Sequence, residues 1–262
     1  MNARPEIELR SITASLKRAG LPGFPAAFTE KLETIARVDT ANAAFPPYDE
    51  SRLTSAVAAA LIAKTNPATD PAVIEAFAQD QLAEARKWDI ALENWRDREV
   101  SALLREWAPS LIAEWGGHVA TAGKRLAGAA RNLNLGTTLD EQSQNVLRVG
   151  GKAATAWHEA YLAVGVIDNA VNAQSTLIAF CESRTHANKA LLACPDMTHE
   201  ECADLPSESL PDAWTLTRHG HTISGSDYDA YKAACTRHSG EIAADRGAAE
   251  AKAEKSRILA AW

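Results

Sequence analysis

An all-α fold is what this sequence predicts, and three observations predict it. Between Ala72 and Cys194 the one proline is Pro109, so a long stretch lacks the residue that most strongly interrupts helices. Within that stretch Trp88, Trp95, Trp107, Trp115 and Trp157 recur near whole helical turns. From Trp157 onward the spacing alternates between three and four residues, through Ala160, Val164, Ile167, Val171, Gln174, Ile178 and Cys181. That seven-residue rhythm belongs to helices packed lengthwise, as in a coiled coil. The expected architecture is a long antiparallel helical hairpin or bundle over residues 70–193. Short helices precede it in 1–69, and 194–262 forms an appendage with a small β-hairpin and a terminal helix.

The elements follow in order. Ile7, Leu9, Ile12 and Leu16 mark a short amphipathic helix, and Leu21-Pro22-Gly23-Phe24-Pro25 stops it. A helix is expected over Ala26–Asn42, ended by Phe45-Pro46-Pro47-Tyr48, and another over Arg52–Lys64, closed by Thr65-Asn66-Pro67. Asp70-Pro71 opens the long segment, because an aspartate cap accepts orphan N–H groups and a proline after it has none to lose. Ile74, Phe77, Ala85, Trp88, Leu92 and Trp95 then share one face. Pro109 is expected to kink or break this helix, and Gly116-Gly117 to end or turn it. A further helix runs from Gly117 to Asn132, a connector from Leu133 to Thr138, and a second long helix starts at Thr138 or Leu139, weakest at Gly150-Gly151. Beyond Cys181 prolines return at Pro195, Pro206 and Pro211. Ala213-Trp214-Thr215-Leu216-Thr217-Arg218 alternates like a strand, His219-Gly220 can turn it, and His221–Ser224 can return as its partner. Ser226 or Asp227 caps a last helix to Ala260, whose alternating charges suit a solvated face.

Composition excludes several classes. A chain of 262 residues with 46% apolar content can bury one or two cores. The net charge of -7 argues against sequence-independent nucleic-acid binding, which needs a basic face. An adaptor of that kind would rest on Lys17, Arg18, Lys124, Arg125 and Arg131. No apolar run approaches the ~20 residues of a membrane span, and Met1–Gly20 lacks the apolar core of a secretory signal. The expected compartment is the cytoplasm, with assembly into an extracellular particle as the alternative.

Chemistry, if any, is expected among the cysteines and histidines. Cys181, Cys194, Cys202 and Cys235 share one region with His186, His199, His219, His221 and His238. Cys194, His199 and Cys202 are compact enough to bind zinc, which takes four tetrahedral N/S ligands, although no CxxC pair accompanies them. Two disulfides are an alternative, Cys194 with Cys202 and Cys181 with Cys235, in an oxidising setting. Free thiols in a reduced protein are the simpler reading. No cofactor is expected otherwise.

Several short stretches resemble known motifs. Arg218-His219-Gly220 resembles the Arg-His-Gly signature of phosphoglycerate mutase-like histidine phosphatases, but too little chain follows it for that α/β domain, and a turn is the preferred reading. Trp115-Gly116-Gly117 resembles the Trp-x-Gly turn of small secreted helical-hairpin proteins, which would place a sharp turn there. Gly117 to Arg125 has one residue too many for a phosphate loop, and His158-Glu159 has Leu162 where a zincin needs its second histidine. Asp168, Asn169, Asn172 and Gln174 form a polar cluster, expected mainly on a solvated face.

With no catalytic constellation, the expected function is a non-catalytic interaction or assembly protein. It would act on a protein partner or on itself through Phe77, Trp88, Leu92, Trp95, Trp107, Trp115, Trp157, Val164 and Val171. Two alternatives stand beside it. One is a metal-binding protein or enzyme using the C-terminal Cys/His region; the other is a component of a phage-like or secretion-system assembly.

Overall fold

The computed structural model describes residues 5–42, 50–84, 87–183, 187–205 and 212–260. Phe45–Tyr48, Ala85, His186, Pro206 and Pro211 lie outside these residues, and the side chain of Trp88 lies outside the described side chains. The described residues are mostly helical, with no strand among them. In chain order the helices are α1 (Pro5–Ala19), α2 (Ala26–Asn42), α3 (Glu50–Ile62), α4 (Pro71–Glu84), α5 (Lys87–Ala130) and α6 (Leu139–Val149). They continue with α7 (Gly151–Cys181), α8 (Lys189–Ala193), α9 (His199–Ala203), α10 (Ala213–Arg218) and α11 (Tyr228–Ala260). Two compact units divide the chain, one of residues 1–25 and 104–262 and the other of residues 26–103.

The larger unit is built around α7. Its stripe Ala156, Ala160, Ala163, Ile167, Ala170, Val171, Gln174, Leu177 and Ile178 is buried. Small alanines let neighbouring helices come close, and α1 lies along this face with Leu9, Ile12, Leu16 and Ala19 turned inward. Much of the seven-residue rhythm seen in the sequence is therefore consumed inside the protein's own core. α5 contributes Leu104, Ala108, Leu111, Ile112, Trp115, Val119, Ala122, Leu126 and Ala129 at the same alternating spacing. Full burial of each large side chain among them stabilises the unit by about 1.5–3 kcal/mol.

Two expected interruptions of α5 do not occur. The helix runs through Pro109, which sits on its exposed side while Ala108, Leu111 and Ile112 are buried around it. A proline costs the helix one hydrogen bond and a local clash, and tertiary burial on the opposite side outweighs that. Gly116-Gly117 does not turn the chain either, so the Trp-x-Gly turn is absent. Gly116 meets a different need, because a Cβ there would overlap the carbonyl of Ser226. A Cβ on Gly123, two turns on, would overlap the carbonyl of Ile223. The segment 223–226 thus crosses α5 at backbone contact distance.

Gln174 holds that crossing from the other side. Its Nε2 donates to the carbonyl of Ile112 (2.9 Å) and to that of Ser226 (3.1 Å), joining α7, α5 and the crossing segment in one buried amide. Ser226 Oγ donates to the Leu191 carbonyl (2.9 Å), and the N–H groups of Ser224 and Gly225 both donate to the Ala193 carbonyl. Buried backbone groups must find partners, and here they find them in α8.

The expected β-hairpin at 213–224 is overturned by the same region. Ala213–Arg218 is a helix, α10, because Asp212 caps it by accepting the Thr215 N–H (2.7 Å). Six alternating residues are too short a pattern to resist a good cap, and as a helix the segment buries Ala213, Trp214 and Leu216 together. His219-Gly220 does turn the chain, but as a helix end. Gly220 takes φ +84°, with His221 N–H donating to Leu216 O and Gly220 N–H to Thr217 O, a Schellman closure.

Other boundaries follow their local chemistry. Thr138 caps α6 in a reciprocal box with Glu141. At Gly150-Gly151 the chain does not merely bend but breaks into α6 and α7, both glycines taking φ +61°. Trp157 Nε1 donates to Leu139 O (2.7 Å) and ties the two helices. Asp70 caps α4 through the Ala72 N–H (3.0 Å) ahead of Pro71, and Asp227 caps α11 through the Ala230 N–H (2.7 Å).

The smaller unit contains α2, α3, α4 and the first part of α5, with α3 against α4. Its buried apolar side chains among the described residues are Phe28, Ala60, Val73, Ala76, Val100 and Leu103, four of them no larger than valine.

Candidate functional site

A small cavity of about 160 Å³ opens where α7, α8 and α10 meet. Ile167, Val171, Ala193, Ala213 and Leu216 supply its apolar wall, and Asp168, Asn172, Lys189 and Asp212 its polar groups. Asp168 projects from the edge of the α7 seam, and its Oδ1 accepts the Ala213 N–H (2.9 Å). Burial raises its carboxyl pKa to about 6, the Ala213 hydrogen bond pulls it down, and the nearby Asp212 pushes it up again. Lys189 opposes the rise and makes no ion pair with a described residue. The polar cluster expected on a solvated face is therefore split. Gln174 is wholly buried as a structural clamp, Asp168 and Asn172 line the cavity, and Asn169 turns back to the Gly165 carbonyl (2.8 Å). A one-residue offset from the packed stripe at Ile167 is the signal that places Asp168 at a half-buried border. The cavity itself needs α8 and α10, which local pattern did not predict.

Cys194, His199, Cys202, Cys235 and His238 lie on or beside α8, α9 and the first turns of α11, whereas Cys181 ends α7. Cys194 ends α8 and is buried; burial, with Cys202 and two carboxylates nearby, pushes its thiol up to about 12. Burial raises the Cys202 thiol too, and takes that of Cys181 to about 11. All four cysteines are free thiols, and shifts of this sign leave Cys181, Cys194 and Cys202 protonated and poorly nucleophilic. Thr198 caps α9 in a box with Glu201. The His199 N–H donates to Glu241 Oε2 (2.7 Å), and the His199 and His238 rings meet edge to face at 4.7 Å. Their Nδ1 atoms are buried without a hydrogen-bond partner. Arg237 binds the Pro195 carbonyl, closing the corner. Cys194, His199 and Cys202 share this corner, yet among the described residues no three His, Cys, Asp or Glu side chains are placed to hold a metal ion. Arg218 of the Arg-His-Gly motif serves structure: it donates to the carbonyls of Leu135 (2.7 Å) and Gly136 (3.1 Å), while His219 is exposed.

The residues expected at an interface fall into three groups. Trp115 and Val171 are buried in the larger unit's core. Leu92, Trp95, Trp107, Trp157 and Val164 are half-buried, and Trp157 stacks on the exposed Tyr161 at 5.4 Å. Phe77 is 53% exposed, and it does not stand alone. Ile74 on the same face of α4 is 53% exposed, and Leu61 and Ile62 at the end of α3 are 61% and 83% exposed. Sequence reasoning missed Leu61 and Ile62, since an apolar run at a helix end looks like core until its neighbours are known. No helix among the described residues is long and apolar enough to cross a membrane.

Comparison of the chain with family models, with curated proteins and with solved structures returns no match.

Proposed function

We propose that this is a non-catalytic interaction or assembly protein that works by presenting an apolar helix face to another protein, a second copy of the chain being the first candidate. The observation that carries the reading is the exposure of Leu61, Ile62, Ile74 and Phe77 on the paired helices α3 and α4. Single exposed apolar residues are common on any surface, but large ones grouped on one helix pair mark contact sites. The short set of buried apolar side chains among the described residues of that unit adds support, because apolar surface left in water gains from being covered. The raised pKa values of the Cys181 and Cys194 thiols weigh against their use as nucleophiles.

Light scattering during size-exclusion chromatography tests this. The wild type is expected to self-associate over micromolar to tens of micromolar concentrations, and Ile62→Glu with Phe77→Glu to give a folded monomer. A wild type that stays monomeric throughout, or an oligomer indifferent to both substitutions, removes self-association through this face.

A second reading, metal capture in the Cys/His corner, is favoured by the unpartnered Nδ1 atoms of His199 and His238. Zinc analysis of the purified protein, with thiols counted before and after chelation, tests it; no bound zinc and no change in thiol count remove it.

A further inference from the structure

We infer that the cavity between α7, α8 and α10 is a binding site for a small aliphatic primary ammonium compound, held by Asp168 and Asp212 against the apolar wall of Ile167, Val171 and Leu216. The cavity's volume is well below the 300–1,000 Å³ of sites for drug-sized ligands, so its occupant is a body of a few carbons. Of the two Asp168 oxygens, Oδ1 is engaged by the Ala213 N–H, and Oδ2 has no hydrogen bond to a described residue. Asp212 uses Oδ1 to cap α10. The two carboxylates repel each other, as the upward push of Asp212 on Asp168 records. Among the described residues no cation pairs with Asp168, and Lys189 lines the cavity without an ion pair to any of them. An ammonium placed between the carboxylates relieves that repulsion and supplies Oδ2 with a donor, a charge-assisted hydrogen bond in a half-buried setting. Lys189 and Asn172 stand ready for an acceptor at the ligand's other end, as the carboxylate of an amino acid would provide. This site is independent of the α3–α4 face.

The charged groups facing Asp168 are Asp212 at the start of α10 and Lys189 on α8. Binding a cation favours the ionised carboxyl, so binding releases a proton where Asp168 is partly protonated. With that carboxyl half-ionised at about pH 6, its ionised fraction falls about tenfold from pH 7 to pH 5. Aliphatic amines stay protonated across that range, so the pH dependence belongs to the protein.

Isothermal titration of the full chain with isobutylamine and with valine, at pH 5 and pH 7 in buffers of different ionisation enthalpy, tests the site. Isobutanol serves as the uncharged isostere. The expected result is saturable binding of at least one of the two ammonium probes. It should be about tenfold weaker at pH 5, release protons near pH 6, and be lost in Asp168→Asn. Lys189→Ala then separates the sources: weaker valine binding with isobutylamine unchanged assigns an amino acid, and no effect on either assigns a free amine. The inference is overturned by no saturable binding of either probe, by isobutanol binding as tightly as isobutylamine, or by Asp168→Asn retaining wild-type affinity.

Discussion

The two units are built from the same material and differ in how much of it they hide. In residues 104–182 two long helices bury aligned stripes of apolar side chains, with Trp115, Leu111, Ile112, Leu126, Ile167 and Leu177 almost wholly shielded. Among the described residues of 26–103 the buried set is small, and Leu61, Ile62, Ile74 and Phe77 lie more than half exposed. Their helix ends differ less. α1 closes in a Schellman motif with Gly20 at φ +66°, the residue that conformation suits. α3 closes in the same motif, with Thr65 N–H to Ala60 O and Lys64 N–H to Leu61 O, but Lys64 occupies the left-handed position at φ +57°. The larger unit has a non-glycine left-handed residue too, Ser183 at φ +54° after α7, so the two units differ in how much apolar surface they hide more than in how their helices end.

Substitutions can break this comparison, and the largest effect belongs to the dense core. Trp115→Ala should cost about 3–5 kcal/mol by cavity formation, read by chemical denaturation. The matching truncation Phe77→Ala in the smaller unit should change monomer stability by less than about 0.5 kcal/mol. Equal costs would show that the two units are not differently packed. Gly116→Ala follows at about 2–3 kcal/mol, because its new Cβ meets backbone rather than a movable side chain. Gly117→Ala, with open space around it, should be neutral or slightly stabilising, and the contrast is visible in a pair of melting curves.

Asp168 sharpens the comparison within the dense unit. Its carboxyl is raised in the folded state from an ordinary value of 3.8 to about 6, so the folded state holds the proton more tightly. That contribution is present at low pH and is lost as pH rises from about 4 to 6. Asp168→Asn, whose amide oxygen can still accept the Ala213 N–H, should gain about 1–2 kcal/mol at pH 7 and flatten stability over that window. Melting temperatures measured from pH 4 to 7 check it; a variant less stable than wild type at pH 7 contradicts the burial argument. A modest gain of about 0.5–1 kcal/mol, confined to the smaller unit, is expected at Lys64→Gly. Hydrogen exchange at the α3 amides would detect it, and unchanged protection there would argue against strain at Lys64.

Local chemistry made most of the helices legible. The start of α2, the Asp70-Pro71 start, the Thr138 box and the Asp227 cap all follow from residues within one turn of the boundary. The errors came where distant residues decide. Pro109 is tolerated because the opposite face of α5 is buried, and Gly116 stays helical because the segment 223–226 needs its missing side chain. Ala213–Arg218 alternates like a strand but is recruited as a helix by one aspartate before it. The candidate cavity was half legible: Asp168 and Asn172 stood out beside an apolar seam, whereas Lys189 and Asp212 join them only through the placement of α8 and α10.

The crossing of 223–226 over α5 bears on how kinship with this chain would be recognised. What the contact demands is not a run of neighbouring letters but a sparse set spread over more than a hundred positions. Gly116 and Gly123 give room, Gln174 bridges, and Gly225 and Ser226 fill. A distant descendant of the same ancestor could change nearly every other surface residue and still have to keep that constellation. Searching for those five characters at their separations, rather than for a contiguous motif, is the way such a descendant would reveal itself.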